Sequence, residues 1–366
     1  MKRTILFAYA ALLIAVGLPF LAHPDPSGPA GADTPARTEQ LAHEAAPGEV
    51  SPPPEAPIET PGTEGTGTQS EEETGTQSAD GLSAAVAAQP AMTEIRVLTP
   101  EGVVTMDMQD YLRGVVAAEM PASFHPEALK AQTVAARSYA MYCASYSKHG
   151  EAQVCTDYRC CQAWRSDGEL KERWGENYDE NIDKIRSAVE QTEGEYLCFS
   201  GQPAFAAFHS SSASVTESSA DVWSAVPYLV SVSSPETADD VPGYVSVVEC
   251  SPIDFRDTVL SAHPEADFSG AEEDWIGELR NDAAGRVASV VLGGVELGGA
   301  ELRSLFSLRS TAFDLAYDGE SFVFTVTGFG HGVGMSQYGA DKMAREGADY
   351  REILAHYYPG TELVPG

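Results

Sequence analysis

The chain has 366 residues, room for two ordinary domains or for one large domain with unstructured sequence beside it. Hydrophobic residues make up 43%, ample for a core, yet the formal net charge is -33 and the sequence pI is near 4.4. Such acidity excludes a nucleic-acid binder, which needs a basic footprint to neutralise phosphates, and it excludes electrostatic adhesion to anionic lipid.

Lys2 and Arg3 precede an apolar run from Ile5 to about Ala22. The run is roughly the 18–20 residues that span a bilayer, and longer than the apolar region of about 7–15 residues in a cleaved signal. Leu21-Ala22-His23 is a poor cleavage site, so residues 1–22 read as a retained membrane anchor in preference to a removed signal. Either way the positive residues stay inside and the remainder is exported. The expected location is the cell membrane, single-pass, with the working domain outside the cytoplasm.

Residues 23–92 are rich in Pro, Glu, Gly, Thr, Ser and Ala and poor in large apolar side chains. They cannot bury enough surface to offset ordering and read as a disordered acidic tether. The near repeat Thr66-Gly67-Thr68-Gln69-Ser70 and Thr74-Gly75-Thr76-Gln77-Ser78 is low complexity, not a solenoid. One body over residues 93–366 is expected after it. A hairpin turns at Pro100-Glu101-Gly102, and Asp107 caps a helix from Met108 to Met120 that Pro121 ends. Pro126 opens an alanine-rich second helix to about Tyr146. A charged, Trp-containing stretch leads to a helix over 178–191, then a hairpin around Gly201-Gln202-Pro203. Strands over 245–248, 287–292 and 322–326 alternate with short helices, including 350–358. Helices early and strands late, without regular alternation, predict an α+β fold.

In the first of these helices Leu112, Val115, Val116 and Glu119 share one stripe, so a carboxylate stands where an apolar residue belongs. It also stands in the last turn, where the helix dipole disfavours negative charge. Burial and dipole both raise a carboxyl pKa, which suits a general acid. The alternative is a carboxylate that merely ends a helix beside an arginine such as Arg137. Glycoside cleavage usually employs two carboxylates; Asp107, Asp110 and Glu127 are candidates for the second. A single carboxylate suffices if the sugar's own hydroxyl replaces water as nucleophile.

Of the six cysteines, Cys143, Cys198 and Cys250 are scattered singly while Cys155, Cys160 and Cys161 cluster after His149. His149, Cys155, Cys160 and Cys161 form His-x5-Cys-x4-Cys-Cys, which suits a closed, structural tetrahedral zinc site. A disulfide from Cys155 to a neighbour accounts equally well for the pattern. The glycine-rich run Gly328 to Met335 lacks both the dinucleotide spacing and a Walker lysine, so it predicts no nucleotide. His209-Ser210-Ser211-Ser212 at a strand end suggests a sugar-binding rim. Ser145-Tyr146-Ser147-Lys148 matches Ser-x-x-Lys, but no Lys-Thr-Gly strand accompanies it.

Taken together, the run Gly114 to Pro121, the run Glu127 to Ala140, His209-Ser210-Ser211-Ser212 with Asp221-Val222-Trp223, and the run Gly330 to Ala340 resemble the stage II sporulation protein D (SpoIID/LytB) family. The resemblance covers essentially everything after Thr93. It implies a lytic transglycosylase acting during sporulation and engulfment on glycan strands already stripped of stem peptides by a partner amidase. Glu119 would protonate the glycosidic oxygen and then deprotonate the muramyl 6-hydroxyl, leaving a 1,6-anhydro end. Arg137 would lie near that acid, and His209, Ser210, Ser211, Gln337 and Tyr338 would line the sugar cleft. Zinc on His-x5-Cys-x4-His-Cys in some members implies zinc on His149, Cys155, Cys160 and Cys161 here, with cysteine in the third place. The implied partners are glycan strands, a wall amidase and sporulation membrane proteins. The chain departs from the family at Ala213-Ser214, where Gly-Gly is usual. The family also includes members named amidase enhancers, so a non-catalytic wall-binding scaffold is the alternative expectation.

Overall fold

The computed structural model describes residues 92–146 and 148–365. The expected anchor (1–22) and all but the last residue of the expected tether (23–92) lie outside the described residues. Among the described residues no helix is long and apolar enough to cross a membrane.

The chain enters through the hairpin β1 (Glu94–Thr99) and β2 (Gly102–Asp107), whose turn places Gly102 at φ 126°, a conformation that favours glycine. Helix α1 (Met108–Glu119) follows at once. The Asp107 carboxylate caps it, accepting from the Gln109 N–H at 2.8 Å. Helix α2 (Pro126–Ala144) starts with proline at N1, and His125 Nδ1 accepts from the Glu127 N–H at 3.3 Å. It is the hub of the molecule: α1, α4 (Tyr178–Gln191), α8 (Gln337–Arg345) and α9 (Tyr350–Tyr357) all pack on it. Its alanines at 128, 131, 135, 136 and 140 are fully buried, and their small size permits this close approach from several sides.

A short strand β3 (Val154–Cys155) pairs parallel with β1. Helix α3 (Asp167–Trp174) occupies the charged Trp-containing stretch where no element was expected; the Ser166–Glu169 capping box supplies its start. After α4 come β4 (Tyr196–Phe199) and β5 (Gln202–Pro203), which form the expected hairpin, with β14 (Glu362–Val364) on the other edge of β4. The second arm, expected over 204–208, falls instead on Gln202 and Pro203, within the expected turn. Residues 204–207 leave the sheet, and β6 (Phe208–His209) pairs instead with β13 (Met335–Ser336), in parallel. A short helix α5 (Ser219–Val222) follows β6.

Residues 245–327 build a second lobe. Its strands are β7 (Val245–Cys250), β8 (Ile276–Asn281), β9 (Val287–Leu292), β10 (Val295–Gly298), β11 (Phe313–Tyr317) and β12 (Phe322–Thr327). They form two antiparallel sheets, ordered β10-β9-β8 and β11-β12-β7, with helices α6 (Pro252–Ala262) and α7 (Gly299–Leu305). The buried apolar side chains divide accordingly. One core gathers residues from Ile95 to Leu229 and from Val333 to Tyr358. The other runs from Phe255 to Val326 and mixes aromatic with aliphatic side chains, with Phe255 and Phe322 stacked at 4.0 Å. The architecture is mixed α+β, as the pattern of elements predicted.

Candidate active site and metal-binding loop

Glu119 is the last residue of α1. Leu112, Val115 and Val116 on its stripe are fully buried, and Glu119 itself is 7% exposed. Gly114, Ala117 and Ala118 on the other faces are buried as well, so this end of the helix is enclosed all round. Pro121 then stops the helix, and no basic residue stands in its last turn. The carboxyl pKa is raised to about 7, chiefly by burial; one hydrogen bond, from the Ala163 N–H to Oε1 at 2.6 Å, acts in the opposite sense.

No cation is bonded to this carboxylate among the described residues. Arg137, expected beside it, lies towards the other end of α1. Its Nη1 donates to the Glu195 carbonyl at 2.7 Å and its Nη2 to the Gln109 side chain at 3.5 Å. Gln109 is ten residues from Glu119 along α1, about 15 Å at the helical rise. The candidate second carboxylates are also committed elsewhere. Asp107 caps the far end of α1, Asp110 pairs with Arg113 at 3.0 Å, and Glu127 bridges Lys130 and the Tyr350 N–H.

Ala163 belongs to the segment that follows the cysteine cluster. That segment lies against α1: Tyr111 donates its hydroxyl proton to Gln162 Oε1 at 3.1 Å, and the Arg165 N–H reaches the Gly114 carbonyl at 3.3 Å. Glycine at 114 is what permits the approach. A Cβ there would collide with the Trp164 indole and stand 2.8 Å from the Arg165 carbonyl oxygen. Sequence reasoning singled out Glu119 but not Ala163, because a backbone donor leaves no residue-type signal.

The four predicted metal ligands do come together. One donor atom from each of His149, Cys155, Cys160 and Cys161 lies within 4.8 Å of the others. His149 Nε2 is 3.2 Å from Cys161 Sγ and 3.6 Å from Cys160 Sγ. Donors around a tetrahedral zinc stand about 3.5–4 Å apart, so three thiols and an imidazole in this arrangement fit a metal ion with no position left open. All six cysteines are free thiols. Cys143, isolated in the sequence, is not isolated in space: it stands in the last turn of α2 with its thiol within hydrogen-bonding reach of Cys161.

The remaining predicted residues gather around β6 and β13. His209 is fully buried and committed at both ring nitrogens, Nδ1 to the Val333 carbonyl at 3.2 Å and Nε2 to Ser212 Oγ at 2.7 Å. Ser211 is 1% exposed, and Gln337 is buried with its amide 3.4 Å from Gln132 Oε1. Ser210 and Tyr338 are the two of this set that reach solvent. The Tyr338 ring meets Phe124, in the turn after Glu119, edge-on at 4.9 Å.

A buried carboxylate that sequence reasoning missed, Glu236, accepts from the Ser212 N–H and the hydroxyls of Ser234 and Ser336, and so ties these segments together. The glycine run faces inward. A Cβ at Gly330 would stand 2.7 Å from the His209 Cβ, and one at Gly332 would stand 2.6 Å from the Arg286 Cζ. Arg286, fully buried on the second lobe, forms an ion pair with fully buried Glu217 on the first at 2.9 Å.

A family model described as Stage II sporulation protein (SpoIID) matches residues 99–199. The chain is 36% identical over 287 residues to Stage II sporulation protein D of Bacillus amyloliquefaciens, covering 75% of this chain and 81% of that protein. It is similarly 36% identical over 281 residues to Stage II sporulation protein D of Bacillus subtilis (strain 168), covering 75% and 80%. A protein of the same strain named Amidase enhancer is 31% identical over 304 residues, covering 69% of this chain and 40% of that protein.

Proposed function

Given that this chain belongs to the stage II sporulation protein D family, we propose that it is a lytic transglycosylase that cuts the glycan strands of bacterial cell wall, with Glu119 as both acid and base. The observation that carries this reading is the state of that carboxyl group. It is buried, bonded by a single amide, without a cationic partner among the described residues, and its pKa stands at about 7. A structural carboxylate would be paired or saturated, as Glu236 is. A half-protonated carboxyl at neutral pH can give up a proton and take one back.

In the first step the Glu119 carboxyl proton passes to the glycosidic oxygen as the bond from that oxygen to the muramyl C1 breaks. In the second, the muramyl 6-hydroxyl oxygen bonds to C1 while its proton returns to the Glu119 carboxylate, leaving a 1,6-anhydro end. Water is not consumed, so no second carboxylate is required to activate it, in keeping with the engagement of Asp107, Asp110 and Glu127 elsewhere. Ser210 and Tyr338 would meet the sugar; His209, Ser211, Gln337 and Arg137 would hold the surrounding backbone.

Zinc on His149, Cys155, Cys160 and Cys161 would supply no chemistry to the sugar and would act as a clip on the loop leading to Ala163. The N-terminal run would hold the domain outside the cytoplasm at the membrane, beside a wall amidase and sporulation membrane proteins. Digestion of peptide-free glycan strands, read by mass spectrometry, tests the reaction. Anhydro ends from the full chain and none from Glu119→Gln are expected; undiminished release by the variant would sink the assignment.

A second reading draws on the relative named Amidase enhancer. Here the same fold binds wall and stimulates an amidase without cutting. Glu119→Gln would then leave amidase stimulation intact, and no anhydro ends would form with either protein.

A further inference from the structure

Three thiols and one imidazole complete the set that a tetrahedral ion needs, yet a fourth thiol touches it. Cys143 is not one of that set, but its thiol is within hydrogen-bonding reach of Cys161 Sγ. Helix α2 fixes the meeting. Tyr139 and Cys143 are four residues apart in its last turns and so share one face. The Tyr139 hydroxyl donates to the Cys160 carbonyl at 3.4 Å, and Lys148 Nζ donates to the same carbonyl at 3.1 Å. The Cys160 and Cys161 N–H groups both donate to the Asp157 carbonyl, at 3.0 and 2.9 Å, and Tyr111 holds the Gln162 side chain at 3.1 Å. The backbone that carries Cys161 is thus pinned against the helix end that carries Cys143.

A metal with four donors does not need a fifth, and a small apolar side chain would fill the same space. What a thiol adds at this place is chemistry with its neighbour. Two sulfurs in hydrogen-bonding reach need only close by about 2 Å to bond. Cys155 is the rival partner, since its thiol also lies within reach of Cys161. A link from Cys155 to Cys161 closes a short loop, whereas one from Cys143 closes a longer loop and restricts the unfolded chain more.

We propose that Cys143 and Cys161 are a dithiol that a peroxide converts to a disulfide, exchanging the metal clip on this loop for a covalent one. The proposal rests on the zinc reading above only for the ion that is given up. Peroxide transfers one oxygen to the Cys143 sulfur as its O–O bond breaks and a first water leaves. The Cys161 sulfur then displaces the resulting hydroxyl group, which takes up a proton and leaves as the second water. Each sulfur has lost one electron and the peroxide has gained two. Cys143 is the member of the pair with any exposure, 8% against 0%, and so is the one that peroxide meets first. The step takes Cys161 out of the metal set, and His149, Cys155 and Cys160 alone hold an ion less tightly. Cys161 stays fastened to α2, two residues before Ala163, so the loop keeps an anchor beside Glu119.

The test exposes the full chain to hydrogen peroxide, blocks the remaining thiols with an alkylating agent and maps the unreduced peptides by mass spectrometry. A chromogenic dye reads released zinc in parallel. A peptide pair joined through Cys143 and Cys161 should appear in step with zinc release, and a thiol reductant with added zinc should reverse both. Cys143→Ser should carry as much zinc as the parent before peroxide and lose the release at the dose that discharges the parent. Absence of the Cys143–Cys161 linkage in the treated parent, or linkage of Cys161 to Cys155 in its place, would overturn the proposal, and neither result needs a variant to fold. Lower zinc content in a folded Cys143→Ser chain would sink it too, by making Cys143 a ligand. A parent that carries no zinc would overturn the zinc reading, while the peptide map of the same treated sample still decides the pairing of Cys143.

Discussion

The Ala163 N–H donates to Glu119 Oε1 at 2.6 Å, which joins the end of a helix to a loop whose own position depends on the cysteine cluster two residues upstream. Through this bond the backbone around Cys161 bears on the protonation of the carboxyl.

Burying Glu119 works against folding at alkaline pH. Its folded pKa, about 7, lies above the unfolded value of 4.5, so the folded state holds the extra proton between the two. Stability is therefore highest below about pH 4.5 as far as this group is concerned, and falls as pH rises to 7. The loss amounts to about 3 kcal/mol for a shift of this size. Glu119→Gln keeps the shape and an acceptor for Ala163 but removes the charge. Thermal unfolding should show the variant more stable than the parent at pH 8, with the gap closing towards pH 4.5. A constant gap across that range would contradict the assigned burial.

The same group governs rate. General-acid cleavage requires the protonated carboxyl, so kcat/KM on peptide-free glycan should fall above about pH 7 with the slope of a single ionisation. A profile flat to pH 9 would mean that another group delivers the proton.

Metal analysis should find about one zinc per chain, lost on Cys155→Ser or on treatment with a strong chelator. Losing the clip should free the Ala163 N–H from Glu119. Because that bond holds the carboxyl pKa down, its removal should move the alkaline limb of the rate profile upward as well as lower the rate. Metal-free protein with Cys155 in a disulfide after native purification would overturn the zinc assignment.

Gly114→Ala should lower activity without touching any polar group. The added methyl meets the Trp164 indole and the Arg165 carbonyl, so the strip carrying Ala163 must shift. Overpacking of this kind costs about 1–3 kcal/mol, against a gain of about 1 kcal/mol in helix propensity. Glu217→Ala should cost more, about 3–5 kcal/mol, because it strands the buried Arg286 charge. Breaking the surface Arg113–Asp167 pair should cost only about 0–1 kcal/mol. Denaturant unfolding ranks the three.

Much of the first lobe was legible because its signals are local. Asp107, Pro121 and Pro126 mark helix ends in the residues themselves, and Glu119 stands out against the stripe of Leu112, Val115 and Val116. The spacing of His149, Cys155, Cys160 and Cys161 announced a cluster. What was not legible depends on encounters between distant segments. Cys143 joins the cluster because α2 turns its last residues toward Cys161. Arg137 was placed beside Glu119 by resemblance, whereas packing sets it against Gln109 and Glu195. The pairing of Phe208 with Met335 spans most of the second half of the chain on a two-residue strand, too short for any periodicity to declare itself.

The division into two cores sets an order of assembly. Every buried member of the second core lies between Phe255 and Val326, a continuous stretch that can collapse as soon as it is complete. The first core cannot close until Val333 to Tyr358 arrive to meet helices laid down some two hundred residues earlier. Such late, non-local closure is slow, because the intervening loop must be brought together before any contact rewards it. Until the last segment docks, α2 presents its alanine faces to water, and the chain is most open to a protease at the moment it is nearly complete. A truncation a few turns short of the end would thus leave a folded second lobe hanging from an unfinished first one, with Glu119 in place on its helix and no structure around it to set its proton.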